Sequence, residues 1–314
     1  VIPPTLVDAI TYSSLLGIMT FGLTFVRITT GVWNVAHGAF VTVGAYVVFT
    51  CTNLIGGNPY LYLPLAFIMG FITSVIEYLL IIEPLRKREA STTLMLVSTI
   101  SFDLAMLSII NIYADYLQNV FNLPSKNFIM KKLDFTLFEA PGIFWVSFMF
   151  LIAFVIVLYF VLHYTKVGVA LRACVSNPAL ANITGINVIY INLLSWFISG
   201  GLAGVAGGLL PLWIQGKPIV GDSFLALMFC VSIVGGVEEI YGTVLGGFLV
   251  GFTQTLVTLG LYAIFGAAVI PYKTLIPMMI LVLTLLFAPK GLAKINWKKM
   301  LKIAKIGGPS KWKV

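Results

Sequence analysis

Nine stretches of this sequence, 6–26, 36–56, 60–82, 92–113, 143–163, 188–210, 223–237, 242–262 and 271–288, are apolar and carry at most one charged side chain each. Nothing else in the chain limits its fold as strongly. About 20 consecutive apolar residues cross the ~30 Å hydrocarbon core of a bilayer as a helix. Only helices and closed barrels satisfy their backbone polar groups there. Composition points the same way: 60% of the 314 residues are hydrophobic and 10% are charged, against about 45–50% and about 25% in soluble domains. The expected fold is all-α, a polytopic transmembrane bundle of eight to nine spans. The seventh stretch is short, so eight full spans plus a re-entrant element fits as well as nine. Residues 1–289 would form the membrane domain and 290–314 a basic tail.

Lys and Arg set the expected orientation. With the N-terminus outside, Arg27, the Arg86-Lys87-Arg88 loop, Lys166, Arg172 and the tail lysines from Lys290 to Lys313 face the cytoplasm. That is 14 of the 19 basic residues. Lys126, Lys131, Lys132, Lys217 and Lys273 remain outside. The protein would thus sit in the cytoplasmic membrane with its C-terminus inside. Its net charge of +8 suits an anionic inner leaflet and needs no nucleic acid. The longest outer connection, 114–142, is long enough to cover a pathway or dock a partner.

Four stretches stand out by their residue types. In "WNVAHGAFVTVGAY" (33–46), Asn34 and His37 interrupt an apolar pattern beside Gly31, Gly38 and Gly44. This reads either as a loop between spans or as a helix broken inside the membrane, which is tolerated where the freed backbone is buried in protein or lines water. His37 is then either an interfacial histidine satisfied by backbone or water, or part of a pathway. In "TKVGVALRACVSNPALANITGIN" (165–187), Asn177 suits an N-cap, Pro178 a first helical position and Gly185 a left-handed C-cap. They frame a short helix with Leu180 and Ile183 on one face, either a docking peg or an ordinary interfacial helix. "GLAGVAGGLLP" (201–211) and "SIVGGVEEIYGTVLGGFLVG" (232–251) carry small residues at helical spacing, which lets helices approach closely. Glu238 and Glu239 most simply sit at the membrane surface. Glu77 and Asp103 fall inside spans, where a carboxylate must face protein or water.

Several chemistries lack their residues. There is no Gly-x-x-x-x-Gly-Lys-Ser/Thr phosphate loop and no His-Glu-x-x-His zinc motif. His37 and His163 are the two histidines, too few for a metal cluster or a His-based triad beside a nucleophile. Cys51, Cys174 and Cys230 show no metal spacing. An enzyme is not the natural reading.

Taken in order, "GLTFVRITTGVWNVAHGAFVTVGAY" (22–46), "EPLRKREASTTLMLVSTIS" (83–101), "VGVALRACVSNPALANITGIN" (167–187), "IVGGVEEIYGTVLGGFLVG" (233–251) and "FAPKGL" (287–292) resemble the branched-chain amino acid ABC transporter permeases, in particular the high-affinity type with an Asn-x-Ala-His-Gly core. Glu238-Glu239 and Asp103 depart from that pattern. The resemblance implies a permease subunit of an ATP-driven importer for branched-chain amino acids, or for related small polar solutes such as urea or amides. It implies a paralogous or identical second permease, two cytoplasmic ATPases that bind the ATP, an extracytoplasmic substrate-binding protein, and no cofactor on this chain. Under it, Arg172, Ser176, Asn177, Pro178, Leu180, Ile183 and Gly185 would couple to the ATPase. Asn34, His37, Thr42, Tyr46, Thr99 and Ser101 are pathway-lining candidates. The alternative from another class is a proton-coupled secondary transporter using Glu77 and Asp103.

Overall fold

The computed structural model describes residues 3–289 and 291–294. Lys290 and residues 295–314, most of the expected basic tail, lie outside the described residues. The chain folds as a helical membrane bundle. Among the described residues six helical stretches are long and apolar enough to cross a bilayer: Pro4–Thr30, Pro59–Lys87, Thr92–Phe121, Gly142–Tyr164, Val188–Leu212 and Ile240–Tyr272.

The elements in chain order are α1 (Pro4–Thr30), α2 (His37–Leu54), α3 (Leu63–Glu77), α4 (Glu83–Lys87), α5 (Thr92–Phe121), α6 (Gly142–Tyr164), α7 (Lys166–Ser176), α8 (Pro178–Ile183), α9 (Val188–Leu209), α10 (Asp222–Gly235), α11 (Ile240–Phe265) and α12 (Leu275–Phe287). A π-helical turn, Tyr78–Ile82, joins α3 to α4. All nine apolar stretches are helices, and the seventh is the 14-residue α10, about 21 Å long and shorter than the hydrocarbon core. Alternation of direction puts the 86–88 turn, α7, α8 and the 236–239 turn on one face, called here the basic face. The 55–58 turn and the 122–141 connection lie on the far face.

The core is helix on helix, and glycine decides how close those helices come. α1 is almost wholly enclosed, with Leu15, Leu16, Ile18, Met19 and Leu23 fully buried. α9 is wedged between α2 and α3. A Cβ on Gly44 would lie 1.9 Å from the Gly204 carbonyl oxygen, and one on Gly70 2.3 Å from that of Gly200. The second Gly-rich stretch behaves alike: Gly247 faces Gly17 and Gly251 faces Ser13 on α1, while Gly242 and Gly246 face Gly235 on α10. Apolar burial gives little drive between helices in lipid, so close van der Waals approach and interhelical hydrogen bonds hold them together. Such bonds are present: Ser74 Oγ to the Trp196 carbonyl (2.7 Å), Tyr12 OH to Gln254 Oε1 (2.9 Å) and Thr24 Oγ1 to Ser232 Oγ (2.8 Å).

The far-face connection is tied down rather than loose. Phe128 pairs with Gly216 through two backbone bonds (3.1 and 2.7 Å), and Met130 N–H donates to the Pro211 carbonyl (2.8 Å). Asp134 accepts from Tyr60 OH (2.7 Å) and from Ile143 N–H (3.1 Å). A two-residue hairpin, Thr136–Leu137 with Ala140–Pro141, closes it.

Candidate functional site

The segment between α1 and α2 is a helix broken inside the membrane. α1 ends with Gly31 in the left-handed conformation (φ 76°), and Arg86 Nη2 donates to the Thr30 carbonyl (3.0 Å). Residues 32–34, outside any regular element, and a turn at 35–36 then carry the chain back alongside α1. They stop where His37 Nε2 meets the Met19 carbonyl at 2.9 Å. Met19 precedes Thr30 by eleven residues, so α2 begins ~16 Å inside the basic face at 1.5 Å per residue. The N-terminus of α10 arrives at the same place from the far face. Gly221 N–H donates to Thr42 Oγ1 (3.0 Å), and a Cβ on Gly38 would lie 2.3 Å from Asp222 Oδ1. Two helices, α2 and the shorter α10, therefore present their positive N-terminal ends to each other at mid-depth, with the Asp222 carboxyl beside both. Helix dipoles favour a carboxylate there.

Five of the six pathway candidates belong to the scaffold of this junction or to the wall above it. Asn34 is fully buried, and its Nδ2 donates to Glu77 Oε2 (3.1 Å). His37 is fully buried between α1 and α9, with Nδ1 3.5 Å from Ser199 Oγ. The Ser199 hydroxyl donates to the Gly22 carbonyl (2.8 Å). Thr42 receives Gly221. Tyr46 OH donates to the Ser125 carbonyl (2.7 Å), anchoring the far-face connection. Thr99 Oγ1 accepts from Val35 N–H (3.1 Å), fastening α5 to the non-helical segment.

Ser101 is different. It is exposed on the outer side of α5, and with Ser108, Asp115 and Gln118, also exposed, and the half-buried Asn111, it forms one stripe at three-, four- and seven-residue spacing. Leu94, Val97 and Leu104 continue that stripe, each roughly half exposed. Ser101, Ser108 and Asn111 bond back to the carbonyls of Val97, Leu104 and Leu107. Asp115 pairs with Lys126 at 2.6 Å. A polar stripe is costly against lipid tails, so this face suits water or another polar protein surface. Amphipathicity along α5 was readable from the sequence, but not which side the fold would cover. Asp222 was missed because nothing in sequence separates a helix starting at mid-depth from one starting at the surface.

On the basic face, residues 165–187 form two helices. α7 opens with Thr165 Oγ1 accepting from Gly168 N–H (3.2 Å). Asn177 caps α8, its Oδ1 accepting from Leu180 N–H (3.0 Å), with Pro178 at the first helical position. Gly185 (φ 85°) ends it. The short helix expected between Asn177 and Gly185 is Pro178–Ile183. Ala181 is buried against the body, whereas Leu180 is 58% and Ile183 82% exposed, beyond the ends of the spans. Ser176 is exposed in the last turn of α7. Arg172 reaches back to the Leu162 carbonyl at the end of α6 and so braces α7 against a span.

The sequence matches the family model described as "Branched-chain amino acid transport system / permease component" over residues 5–285. It is 41% identical to the probable branched-chain amino acid transport permease protein LivH of Methanocaldococcus jannaschii, over 94% of this chain and 93% of that one. It is 26% identical to the high-affinity branched-chain amino acid transport system permease protein LivH of Escherichia coli K12, over 91% and 93%. Among solved structures, PsaBC from Streptococcus pneumoniae in complex with Fab is similar in fold, with a TM-score of 0.52, 14% identity and 96% coverage of both chains.

Proposed function

This chain belongs to the branched-chain amino acid transport permease family, and on that premise we propose that it is the membrane subunit of an ATP-driven importer of leucine, isoleucine or valine. Its relatives named for that transport cover nearly its whole length. The basic face is cytoplasmic in this reading, by the bias of Lys and Arg, which leaves the N-terminus outside. Separate ATPase chains supply the energy, an external binding protein delivers the solute, and a second permease completes the path.

The observation that carries the reading is α8. A six-residue helix, capped at both ends and fixed by Ala181, holds Leu180 and Ile183 out into solvent. Exposed apolar side chains on a rigid, polar-flanked peg suit insertion into a groove of a partner. Arg172 and α7 join that peg to α6, so a push on α8 would reach the spans as a rigid-body displacement. The stripe Ser101–Ser108–Asn111 on α5 is the face we assign to the path between two permease subunits. It offers dipoles without fixed charge, which lets a zwitterion pass without being trapped.

The test is transport by the assembled importer in vesicles. Leu180→Asp with Ile183→Asp should leave the permease inserted and folded but reduce ATP-dependent leucine uptake at least tenfold. Wild-type uptake by that double variant would rule out α8 as the coupling element. Uptake by the wild type that survives ATP depletion would reject the ATP-driven reading itself.

A further inference from the structure

We infer that the non-helical segment 32–35, with Asn34 and Glu77, forms a buried site for a monovalent inorganic cation of about sodium's size. Four oxygens at the mid-depth junction lack any hydrogen-bond donor among the described residues: Asn34 Oδ1, Glu77 Oε1, Asp103 Oδ1 and Asp222 Oδ1. Asn34 and Glu77 are fully buried and already joined by Asn34 Nδ2 to Glu77 Oε2, so their orphan oxygens belong to neighbouring groups. Among the described residues no backbone N–H donates to the carbonyls of Val32, Trp33 or Val35. Thr99 Oγ1 is 3.5 Å from the Trp33 carbonyl, a weak contact at most.

Placement brings the remaining carboxyls to the same level. Thr99 bonds the segment at Val35, and Asp103 follows one turn later on the same helix. Asp103 is within electrostatic range of both Glu77 and Asp222. The ion pairs among the described residues are Lys87–Glu83 and Lys126–Asp115, so Glu77, Asp103 and Asp222 have no basic partner within salt-bridge distance. An unpaired polar oxygen in a dry interior costs roughly 1–3 kcal/mol. Asn34 Oδ1 and Glu77 Oε1, both fully buried, form with the Val32, Trp33 and Val35 carbonyls a place for positive charge, and the half-buried Asp103 and Asp222 add negative field around it.

The donor set selects the ligand. All donors are oxygens, which favours hard cations over thiophilic or imidazole-seeking metals. No three acidic, His or Cys side chains converge on one point among the described residues, which disfavours a tight divalent cage. Amide, carboxylate and unwound-backbone oxygens together are the coordination that broken helices offer a sodium-like ion at mid-membrane. Bound there, the ion ties the non-helical segment to α3 and so fixes where α2 begins. Asn34 and Glu77 are closed to bulk solvent, which excludes a bulky solute's ammonium group as the occupant. The site does not depend on which solute the protein moves.

The experiment uses the full chain, purified in lipid nanodiscs. Binding of radioactive sodium ion is measured with choline chloride holding ionic strength constant. Thermal unfolding is followed in parallel in sodium, potassium or choline chloride. The expected result is saturable sodium binding with a melting point that rises with occupancy, by about 5 °C at one hundred times the dissociation constant. Glu77→Gln should weaken binding at least tenfold. Asp222→Asn, which removes charge without touching the proposed ligands, should weaken it severalfold and serves if Glu77→Gln fails to fold. Absence of bound sodium, with identical unfolding in all three salts, would overturn the site. Unfolding that responds to pH but to none of the cations would overturn it too and assign the positive charge to a proton on Glu77.

Discussion

Gly44→Ala adds one methyl group where two backbones already touch. The new Cβ would lie 1.9 Å from the Gly204 carbonyl oxygen and 2.6 Å from its carbon. An ordinary contact begins near 3.4 Å, so α2 and α9 would have to part by about 1.5 Å, in an interior packed as densely as an organic crystal. Relief on the other side of α9 is blocked, since Gly204 and Gly200 there meet the backbone of α3 at Gly70. Overpacking typically costs about 1–3 kcal/mol, and backbone pressed on both sides calls for the upper end, ~3 kcal/mol. Gly260→Ala is the control: nothing lies within 4 Å of its added Cβ in α11, and Ala is favoured over Gly in a helix by about 1 kcal/mol. The two variants should differ by ~4 kcal/mol, or roughly 8 °C in melting temperature at ~2 °C per kcal/mol. The assay is thermal unfolding of the purified proteins in one detergent. Equal melting temperatures would show that α2 and α9 are not in backbone contact, and the account of the core would fail.

Other perturbations separate scaffold from path. Replacing Ser108 and Asn111 together by Leu should cut uptake several-fold at unchanged protein level, as measured by initial transport rates against quantitative immunoblots; normal rates would move the path elsewhere. His37→Ala removes the link to the Met19 carbonyl and leaves a hole beside Gly22, so folded yield should fall by a few kcal/mol of stability, ~2–4, while uptake per folded molecule changes little. Size-exclusion recovery and transport on the same samples check this. Tyr46→Phe strips the Ser125 carbonyl of its donor and should speed limited proteolysis within 122–141, with α1 to α3 remaining intact on the gel.

The helical spans and the capped helix at 178–183 were legible in the sequence because each rests on local physics. Apolar runs have one stable form in lipid, and Asn177-Pro178 with Gly185 marks the two ends of a helix by cap chemistry alone. The glycine stretches likewise pointed to close contact, since small residues at helical spacing let helix backbones approach. What stayed hidden is where each polar side chain points. Ser101 and Thr99 lie two residues apart on α5, and one faces outward while the other bonds the non-helical segment.

The sequence by itself determined that this protein is a multi-span helical membrane bundle of a recognisable permease family, because hydropathy and cap chemistry act over a few neighbouring residues. Only the tertiary structure decided that α2 and α10 begin in mid-membrane. Only it brought Asn34, Glu77, Asp103 and Asp222, spread over nearly two hundred positions, to one level. That meeting follows from backbone contacts at Gly38, Gly44, Gly70 and Gly204 between segments far apart in the chain, and a pattern confined to one segment carries no record of its partner.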